Sequence, residues 1–508
     1  MVHSCCTMSK TILLFGAGKS ATCLIDYLLQ TCATHNWLLL VADANQQQVQ
    51  AKTGNVAHAK AIALNVEDVA ARQSLIAAAD VVISLLPPAL HILVAHDCAE
   101  IGKHLLTASY VDAQMQGLAA TVKEKQLLFL CEMGLDPGID HMSAMQLVHR
   151  IKAEGGTITA FKSHCGGLVA PESDDNPWHY KISWNPRNVV LAGKSGATFR
   201  ENGSTRQIPY EELFEPGRVI DVPGLGYLAC YPNRDSLSYI PVYHLEETQT
   251  FIRTTLRYPE FCFGWKNIIE LKLTDESKQY DTDGMTLQQF FQQHFEKYNF
   301  SDWLNKQLTA RFSQTKELLE KLQQLLQAEE EVSEEDRAEL QEFMMIDDKG
   351  ELTDIHLNEV KTQAAATVAG QMHEANLSIK QLVYLGLDDN TTLINKGHCS
   401  AADVLQLALE TKLALQPHDK DMVVMMHEIE YVLNGEDKKV TSYLVVTGED
   451  AVRTAMAKTV GLPLGIAAKL LLQGKLQETG LHIPVISSIY IPVLQELQQH
   501  GIVFHEID

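Results

Sequence analysis

No two cysteines in this chain stand in a CxxC spacing, although ten are spread over its 508 residues. Zinc ribbons and thioredoxin-like redox pairs need that spacing, so neither is indicated. Scattered thiols in a large acidic chain predict a reducing, cytoplasmic setting. A basic surface is missing too: 41 Lys and Arg stand against 64 Asp and Glu, a formal net charge of −23. Phosphate neutralisation needs the opposite balance, so a general nucleic-acid binder is excluded. In such a field a local cluster of arginines is informative. No apolar run reaches the ~18 residues of a membrane span, and the polar head Met1–Lys10 does not read as a secretory signal. No membrane partner is expected. Met8 is read as an alternative start, with residues 1–7 as an unstructured leader. There is no internal repeat.

With 46% hydrophobic and 21% charged residues, the chain is globular. It is too long for one ordinary core, and two or three domains are expected.

The apolar run Thr11–Phe15 ends in Gly16-Ala17-Gly18-Lys19-Ser20-Ala21. A helical pattern follows to Leu29, then a second strand, Trp37–Ala42, and Asp43. This is the order of a dinucleotide cradle. One glycine permits the tight turn, the second lets a pyrophosphate approach backbone, and Ala21 keeps helix and strand close. Asp43 falls where an acid binds both ribose hydroxyls and repels a 2′-phosphate, which favours NAD over NADP. Further strands are read at Ala61–Val66, Asp80–Leu86, His104–Ala108 and Leu127–Cys131, separated by helical segments. That alternation predicts a parallel, doubly wound sheet with its ligand at the strands' carboxyl ends. Ser84, Tyr110 and Asp136 all follow such ends.

Strand patterns dominate after His141: Ile158–Ser163, Val189–Leu191, Phe251–Leu256 and Ile268–Leu273. In Phe251–Arg257, alternation puts Arg253, Thr255 and Arg257 on one face. With Arg234 they supply guanidinium groups suited to carboxylates. Residues from Thr286 to about Glu410 read as helical, with Ser333-x-x-Asp336 and Ser400-x-x-Asp403 as helix starts and Glu329–Asp336 as a solvated edge. Met422–Glu430 and Thr441–Thr447 form a hairpin through Asn434-Gly435. Ala451–Leu472 reads as helical with a break at Gly461-Leu462-Pro463. Ile489–Pro492, a helix and Ile502–Phe504 close a tail expected to pack on the first domain.

The most distinctive stretch is GLDPGIDH (Gly134–His141), followed by SHCGGLVAPESDDNPWHYKISWNPR (Ser163–Arg187). Small, polar and turn-forming residues crowd here as they do in binding loops. Together with YPNRDS, TLRYPEF and TAMAKTVGLPLGIAAKLLL, these blocks resemble the saccharopine dehydrogenases of the glutamate-forming type, also called saccharopine reductases. The resemblance runs from about Lys10 over nearly the whole chain. The helical region is longer than is usual in that family.

The resemblance implies a fold class of α/β with three parts. A Rossmann-type, doubly wound parallel sheet would occupy 8–133, completed by about 450–508. A sheet-rich α/β substrate domain would occupy 134–285, completed by about 420–449. An inserted helical domain would occupy 286–419. It also implies the reaction: L-saccharopine is oxidised by NAD or NADP and cleaved to L-glutamate and 2-aminoadipate 6-semialdehyde, or formed in reverse, in lysine metabolism. A homodimer is the expected assembly.

By the same similarity the substrate ligands would be Tyr110, Asp136, Arg234, Thr255, Leu256 and Arg257. The cofactor would meet Gly16, Ala17, Gly18, Lys19 and Asp43, then Asn65, Val66, Ser84, Leu85 and Leu86. Ser109, Leu135, Asp136 and Pro137 complete its side, and Pro186 would reach it through backbone alone, since a small polar residue is common there in the family. Family members that prefer NADP tend to carry a basic group where this chain has Asp43, so the choice between the two stays open.

The residues suit that chemistry. A substrate with three carboxylates needs local cations in an acidic protein, and its ammonium needs a carboxylate such as Asp136. Imine hydrolysis needs proton transfer, for which Asp136, Cys165 and Tyr110 are the candidates; Cys165 qualifies only if its surroundings lower its pKa. His141 and His164 read as structural, and His164-Cys165 has no partner at metal-ligand spacing, so no metal is expected. Two alternatives stay in view: a dehydrogenase of another secondary amine, such as a carboxylated polyamine or opine-like conjugate, and a non-catalytic nucleotide sensor.

Overall fold

Strands made of Val, Ile and Leu without a polar face are stable only when both faces of their sheet are covered. The computed structural model meets that demand in its first sheet: β1 (Thr11–Phe15), β2 (Leu38–Asp43), β3 (Ala59–Ala63), β4 (Val81–Ser84), β5 (His104–Thr107) and β6 (Leu128–Leu130). All pair in parallel, in the order β6-β5-β4-β1-β2-β3. Alternate residues feed two cores. Ile12, Leu14 and Ile83 enter one, and Leu13, Phe15 and Val82 enter the other. The strand order reverses between β1 and β4, which opens a crevice at their carboxyl ends.

The described residues are 10–215, 217–307, 309, 342–346, 352–356 and 376–507. They divide into two units. One runs to Asp175, resumes over His179–Cys262 and returns from Leu413; the other holds Asn176–Trp178 and Phe263–Lys412.

The larger unit carries a second sheet, begun by β7 (Thr157–Val169), β8 (Ala197–Glu201), β9 (Ser204–Ile208), β10 (Val219–Val222), β11 (Gly226–Pro232), β12 (Arg234–Asp235) and β13 (Thr250–Arg257). In the smaller unit β14 (Lys278–Asp281) pairs with β17 (His398–Ser400), and β15 (Glu342–Ile346) with β16 (Leu352–His356). β15, β16 and β17 interrupt the stretch expected to be wholly helical. Its helices there include Leu287–Lys297, closed by a capping box between Thr286 and Gln289, and Ala401–Lys412, where Ser400 and Asp403 cap each other as expected. The start at Ser333-x-x-Asp336 and the acidic run Glu329–Asp336 lie outside the described residues.

The chain then returns to the second sheet as β18 (Asp421–Leu433) and β19 (Glu436–Thr447), the expected hairpin. β18 pairs along the whole of β7. The tail packs back: β20 (Gly480–His482) extends the first sheet beyond β6, while β21 (His505–Ile507) edges the second. The last strand is thus His505–Ile507, just beyond Ile502–Phe504.

Two other expected strands are helices. Pro186–Val190 starts with Pro at its first position, where the missing N–H costs nothing, and Asn185 caps it. Pro259–Glu270 starts the same way, and Trp265, Ile268 and Ile269 are buried at helical spacing. The expected break at Gly461 is also absent: Ala455–Leu472 is one helix with Pro463 inside it. A β-carbon at Gly461 would lie 3.0 Å from the Leu24 nitrogen. The glycine is there because this helix crosses the Thr22–His35 helix almost backbone to backbone. By length and composition Ala455–Leu472 passes for a membrane span, but 78% of it is buried inside the protein, as suits a core helix.

The nucleotide and substrate sheets were expected in separate domains. They fall in one unit because a single hydrophobic core includes Leu14 and Ile83 from the first sheet with Phe161, Met425 and Leu444 from the second.

Candidate active site

At the end of β1, Gly16 donates its N–H to Ala42 O and adopts φ +97. A β-carbon there would sit 2.5 Å from Leu85 O, so any side chain would collide with backbone. Gly18 is the opposite case, since a β-carbon would meet nothing within 4 Å. Its backbone therefore lies open to a ligand. No side chain caps the turn Lys19–Ala21 or the helix Thr22–His35 that follows, which leaves a helix N-terminus of the kind that binds phosphate.

Three side chains pin this loop. Asp43 Oδ2 accepts from Ala17 N at 2.8 Å, and its Oδ1 accepts from Asn45 N at 2.9 Å. Gln48 Nε2 donates to Ala17 O at 2.9 Å, and Lys52 Nζ to Gly18 O at 2.6 Å. A carboxylate has about four acceptor positions, so Asp43 keeps capacity for ribose hydroxyls. Gln48 and Lys52, both on the helix Gln46–Thr53, were missed in the sequence, where nothing ties that helix to the loop. Burial lowers the Lys52 pKa, and Asp43 opposes that.

Further along the crevice, Leu85, Leu86 and Ser109 are half-buried, while the Ser84 side chain is fully buried against His91 Nδ1 at 2.8 Å. Any contact from Ser84 to a ligand is therefore through backbone. Asn65 turns its side-chain oxygen to Glu67 N, and the Val66 loop follows β3. Pro186 is half-buried at the start of its short helix.

Asp136 lies just past β6 in the Gly134–Gly138 loop, which is tied to β5 by Met133 N to Thr107 O and Glu132 N to Ser109 O. β5 is two strands from β1, about 10 Å at ordinary strand spacing. Asp136 and the glycine loop thus lie at the same, carboxyl-end edge of the sheet. Its Oδ1 takes Arg253 Nη2 at 2.5 Å, and the same nitrogen reaches Asp140 Oδ2 at 2.8 Å. Burial pushes the Asp136 carboxyl above the usual carboxylate range; Arg253 opposes this and Asp140 adds to it. Burial raises Asp140 also, but His141, Arg253 and backbone N–H groups bring it low.

β13 carries the cations. Cys165 of β7 is the register partner of Thr255, and the charges of Asp136, Asp140, Arg257 and Arg253 all act on its thiol. Asp136 and Arg257 are thus both within electrostatic reach of one thiol. Arg257 is 4% exposed. Its Nη1 donates to Leu256 O at 2.8 Å and its guanidinium lies over Tyr180 and Phe261, 5.3 and 5.4 Å from the ring centroids. Among the described residues it has no carboxylate partner, and its Nε is buried without an acceptor. Burial works against its charge, while Tyr231, Tyr180 and the thiols of Cys262 and Cys165 favour it.

Arg234 is exposed, in a left-handed conformation (φ +49), with its guanidinium 5.1 Å from the centre of the Tyr110 ring. Leu256 does not join the pocket. Strand alternation turns its side chain to the other face, into a cluster with Leu168 and Val424.

The proton-transfer candidates separate. Burial first, then Asp136 and Asp140, push the Cys165 thiol well up, so it stays protonated. The condition placed on Cys165 is not met. Burial and Asp136 likewise push the Tyr110 phenol up, with Arg253 and Arg234 opposing. Arg253, Asp140, Tyr231, Tyr180 and Tyr239 were missed as site residues. Only the side-chain alternation of Phe251–Arg257 pointed to Arg253.

A parallel sheet with an open glycine loop, beside a cluster that holds the buried, unpaired Arg257 and the carboxylates of Asp136 and Asp140, defines a nicotinamide-dinucleotide oxidoreductase for a small, carboxylate-bearing amine. The chain belongs to the saccharopine dehydrogenase family. Residues 134–502 match the saccharopine dehydrogenase C-terminal domain and residues 12–130 the saccharopine dehydrogenase NADP binding domain, as the resemblance of its motifs implied.

It is 30% identical to saccharopine dehydrogenase [NADP(+), L-glutamate-forming] of Saccharomyces cerevisiae, over 98% of this chain and 99% of that one. The Schizosaccharomyces pombe protein of that name is 29% identical over 98% of each. Alpha-aminoadipic semialdehyde synthase of Arabidopsis thaliana is 30% identical over 98% of this chain, which spans 44% of that protein's length. The apo saccharopine dehydrogenase (L-Glu forming) structure from Saccharomyces cerevisiae has a TM-score of 0.75 at 26% identity, covering 98% of this chain and 99% of that one.

Proposed function

We propose that this chain oxidises L-saccharopine with a nicotinamide dinucleotide and cleaves it to L-glutamate and 2-aminoadipate 6-semialdehyde, or runs the reverse. The observation that carries this is Arg257, a buried cation whose Nε has no acceptor and which no carboxylate of the described chain neutralises. A ligand carboxylate supplies what it lacks.

The residues at the crevice fit the cofactor. Gly18 is open, the helix N-terminus is uncapped and Asp43 has acceptor capacity left. When bound, the dinucleotide supplies the hydride acceptor. Gly16–Lys19 would hold its pyrophosphate and Asp43 its ribose, with Leu85, Leu86, Ser109 and Leu135–Pro137 alongside. Arg257 takes one substrate carboxylate. Arg234, against Tyr110 at the exposed side, takes another. Asp136 holds the ammonium. Once oxidation has left a carbon–nitrogen double bond, water adds to the carbon and one of its protons must leave. Tyr110 and Cys165 are poor acceptors because both stay protonated. Asp136 is the group that takes it.

The finer reading is NAD over NADP. The names of the two yeast relatives specify NADP(+), but here the ribose position is held by Asp43, whose charge opposes a 2′-phosphate. Asp43→Asn keeps an acceptor for Ala17 N and removes the charge. It is expected to raise the KM for NAD+ by about tenfold, the worth of a charged hydrogen bond, and to improve use of NADP+. A wild-type enzyme that prefers NADP+ would overturn this use of Asp43. Reduction of neither dinucleotide in the presence of saccharopine would reject the reaction itself.

A further inference from the structure

Arg253 lies in this pocket, yet it takes no part in the reaction as derived. It is 3% exposed. Its Nη2 is shared between Asp136 and Asp140, and the ring of Tyr239 lies across it, 4.5 Å from the guanidinium carbon. Tyr239 is itself fixed, since its hydroxyl donates to Glu132 Oε2 at 3.1 Å and that oxygen also meets His141 Nε2 at 2.8 Å. Ser236 Oγ accepts the Arg253 backbone N–H at 3.0 Å. A guanidinium tied to two carboxylates and covered by a ring is not free to chelate a third carboxylate. Arg257, four residues along the same strand, is the reverse case.

We propose that Arg253 is a positioning residue and not a substrate ligand: held by Asp140, it tethers one oxygen of Asp136 and leaves the other to the substrate's ammonium. This rests on the saccharopine-oxidising reading given above.

The groups facing Asp136 are Arg253 of β13, Asp140 and His141 of the Ile139–Ala153 helix, Arg234 of β12, and Tyr110 and Cys165. Burial raises the Asp136 pKa, Arg253 lowers it and Asp140 raises it. Ionised Asp136 pairs with the ammonium, so kcat/KM falls as pH drops through that pKa. Removing Arg253 moves this acid limb to higher pH. Removing the charge of Asp140 moves it to lower pH. A packing defect has no reason to produce opposite signs.

The experiment is the pH profile of kcat/KM for saccharopine in wild type, Arg253→Met and Asp140→Asn. The limb is expected to rise by about one pH unit or more in the first, as for loss of an opposite charge within contact distance, and to fall in the second. Above the limb, the saccharopine KM of Arg253→Met should change far less than that of Arg257→Met. Should Arg253→Met fail to fold, Arg253→Lys keeps the charge and should hold the limb near its wild-type position. Infrared titration of the Asp136 carboxyl, assigned by its loss in Asp136→Asn, reads the same shifts in the free enzyme. It therefore tests the tether even if saccharopine proves not to be the substrate. An unmoved limb and an unmoved carboxyl titration in both variants would overturn the proposal, as would a KM rise in Arg253→Met equal to that in Arg257→Met.

Discussion

In Arg257→Met, kcat/KM for saccharopine is expected to fall by roughly 100- to 1,000-fold, mostly through KM. Truncating one partner of a buried charge pair costs about 2–5 kcal/mol, and each ~1.4 kcal/mol is tenfold. The partner here is the ligand. The guanidinium lies over the adjoining rings of Tyr180 and Phe261, its Nε has no acceptor, and backbone carbonyls at Leu256 and Gly167 are its polar contacts. A second readout separates this from ordinary damage. Methionine fills similar space without a buried, uncompensated charge, so the free protein should keep or gain thermal stability while it loses its substrate. A variant with unchanged KM would take Arg257 out of the pocket. One that lost stability and KM together would make the residue a structural support.

Gly138→Ala is expected to destabilise the protein by on the order of 3 kcal/mol or more, a size reserved for backbone strain and collisions in the interior. Gly138 has φ +148, and a β-carbon there would fall 2.0 Å from Gly134 O. No rotamer relieves this, because both partners are backbone. The loop would have to open, and it carries Asp136. The Gly138 N–H that Asp140 accepts at 2.6 Å would move with it. Chemical denaturation should show the loss directly, and what folded protein remains should bind saccharopine poorly. An alanine variant as stable as wild type would mean that the loop is far softer than its contacts imply.

Much of the first sheet was legible from residues alone. Each of its first six strands sits within about three residues of the position read from apolar runs bounded by Gly, Pro or acidic residues. Such strands are covered on both faces, so they need no partner's identity to be recognised. The errors came where an apolar run was short. Val189–Leu191 and Ile268–Leu273 carry β-branched residues but begin beyond a proline at a helix start, and tertiary burial outweighed their propensity. Gly461 and Pro463 read as a break because packing against Leu24 is invisible in one strand of text. For the candidate site, Asp136, Tyr110, Arg234 and Arg257 were proposed by type and motif. Leu256, named as a substrate ligand by similarity, turns its side chain to the other face, and Cys165 was given a condition that its burial does not meet.

By itself the sequence determined the elements: where strands begin, where a nucleotide loop must turn, and which residues have the charge to hold a zwitterion. These depend on neighbours within one or two turns, and chain order carries that information. Only the tertiary structure decided which charges are spent on each other. Arg253 and Arg257 are four residues apart and chemically identical, but 117 positions away in the chain lies the aspartate that neutralises the first, and among the described residues nothing of the kind reaches the second. Coulomb energy in a dry interior depends on distance and desolvation, and neither exists until the chain has folded.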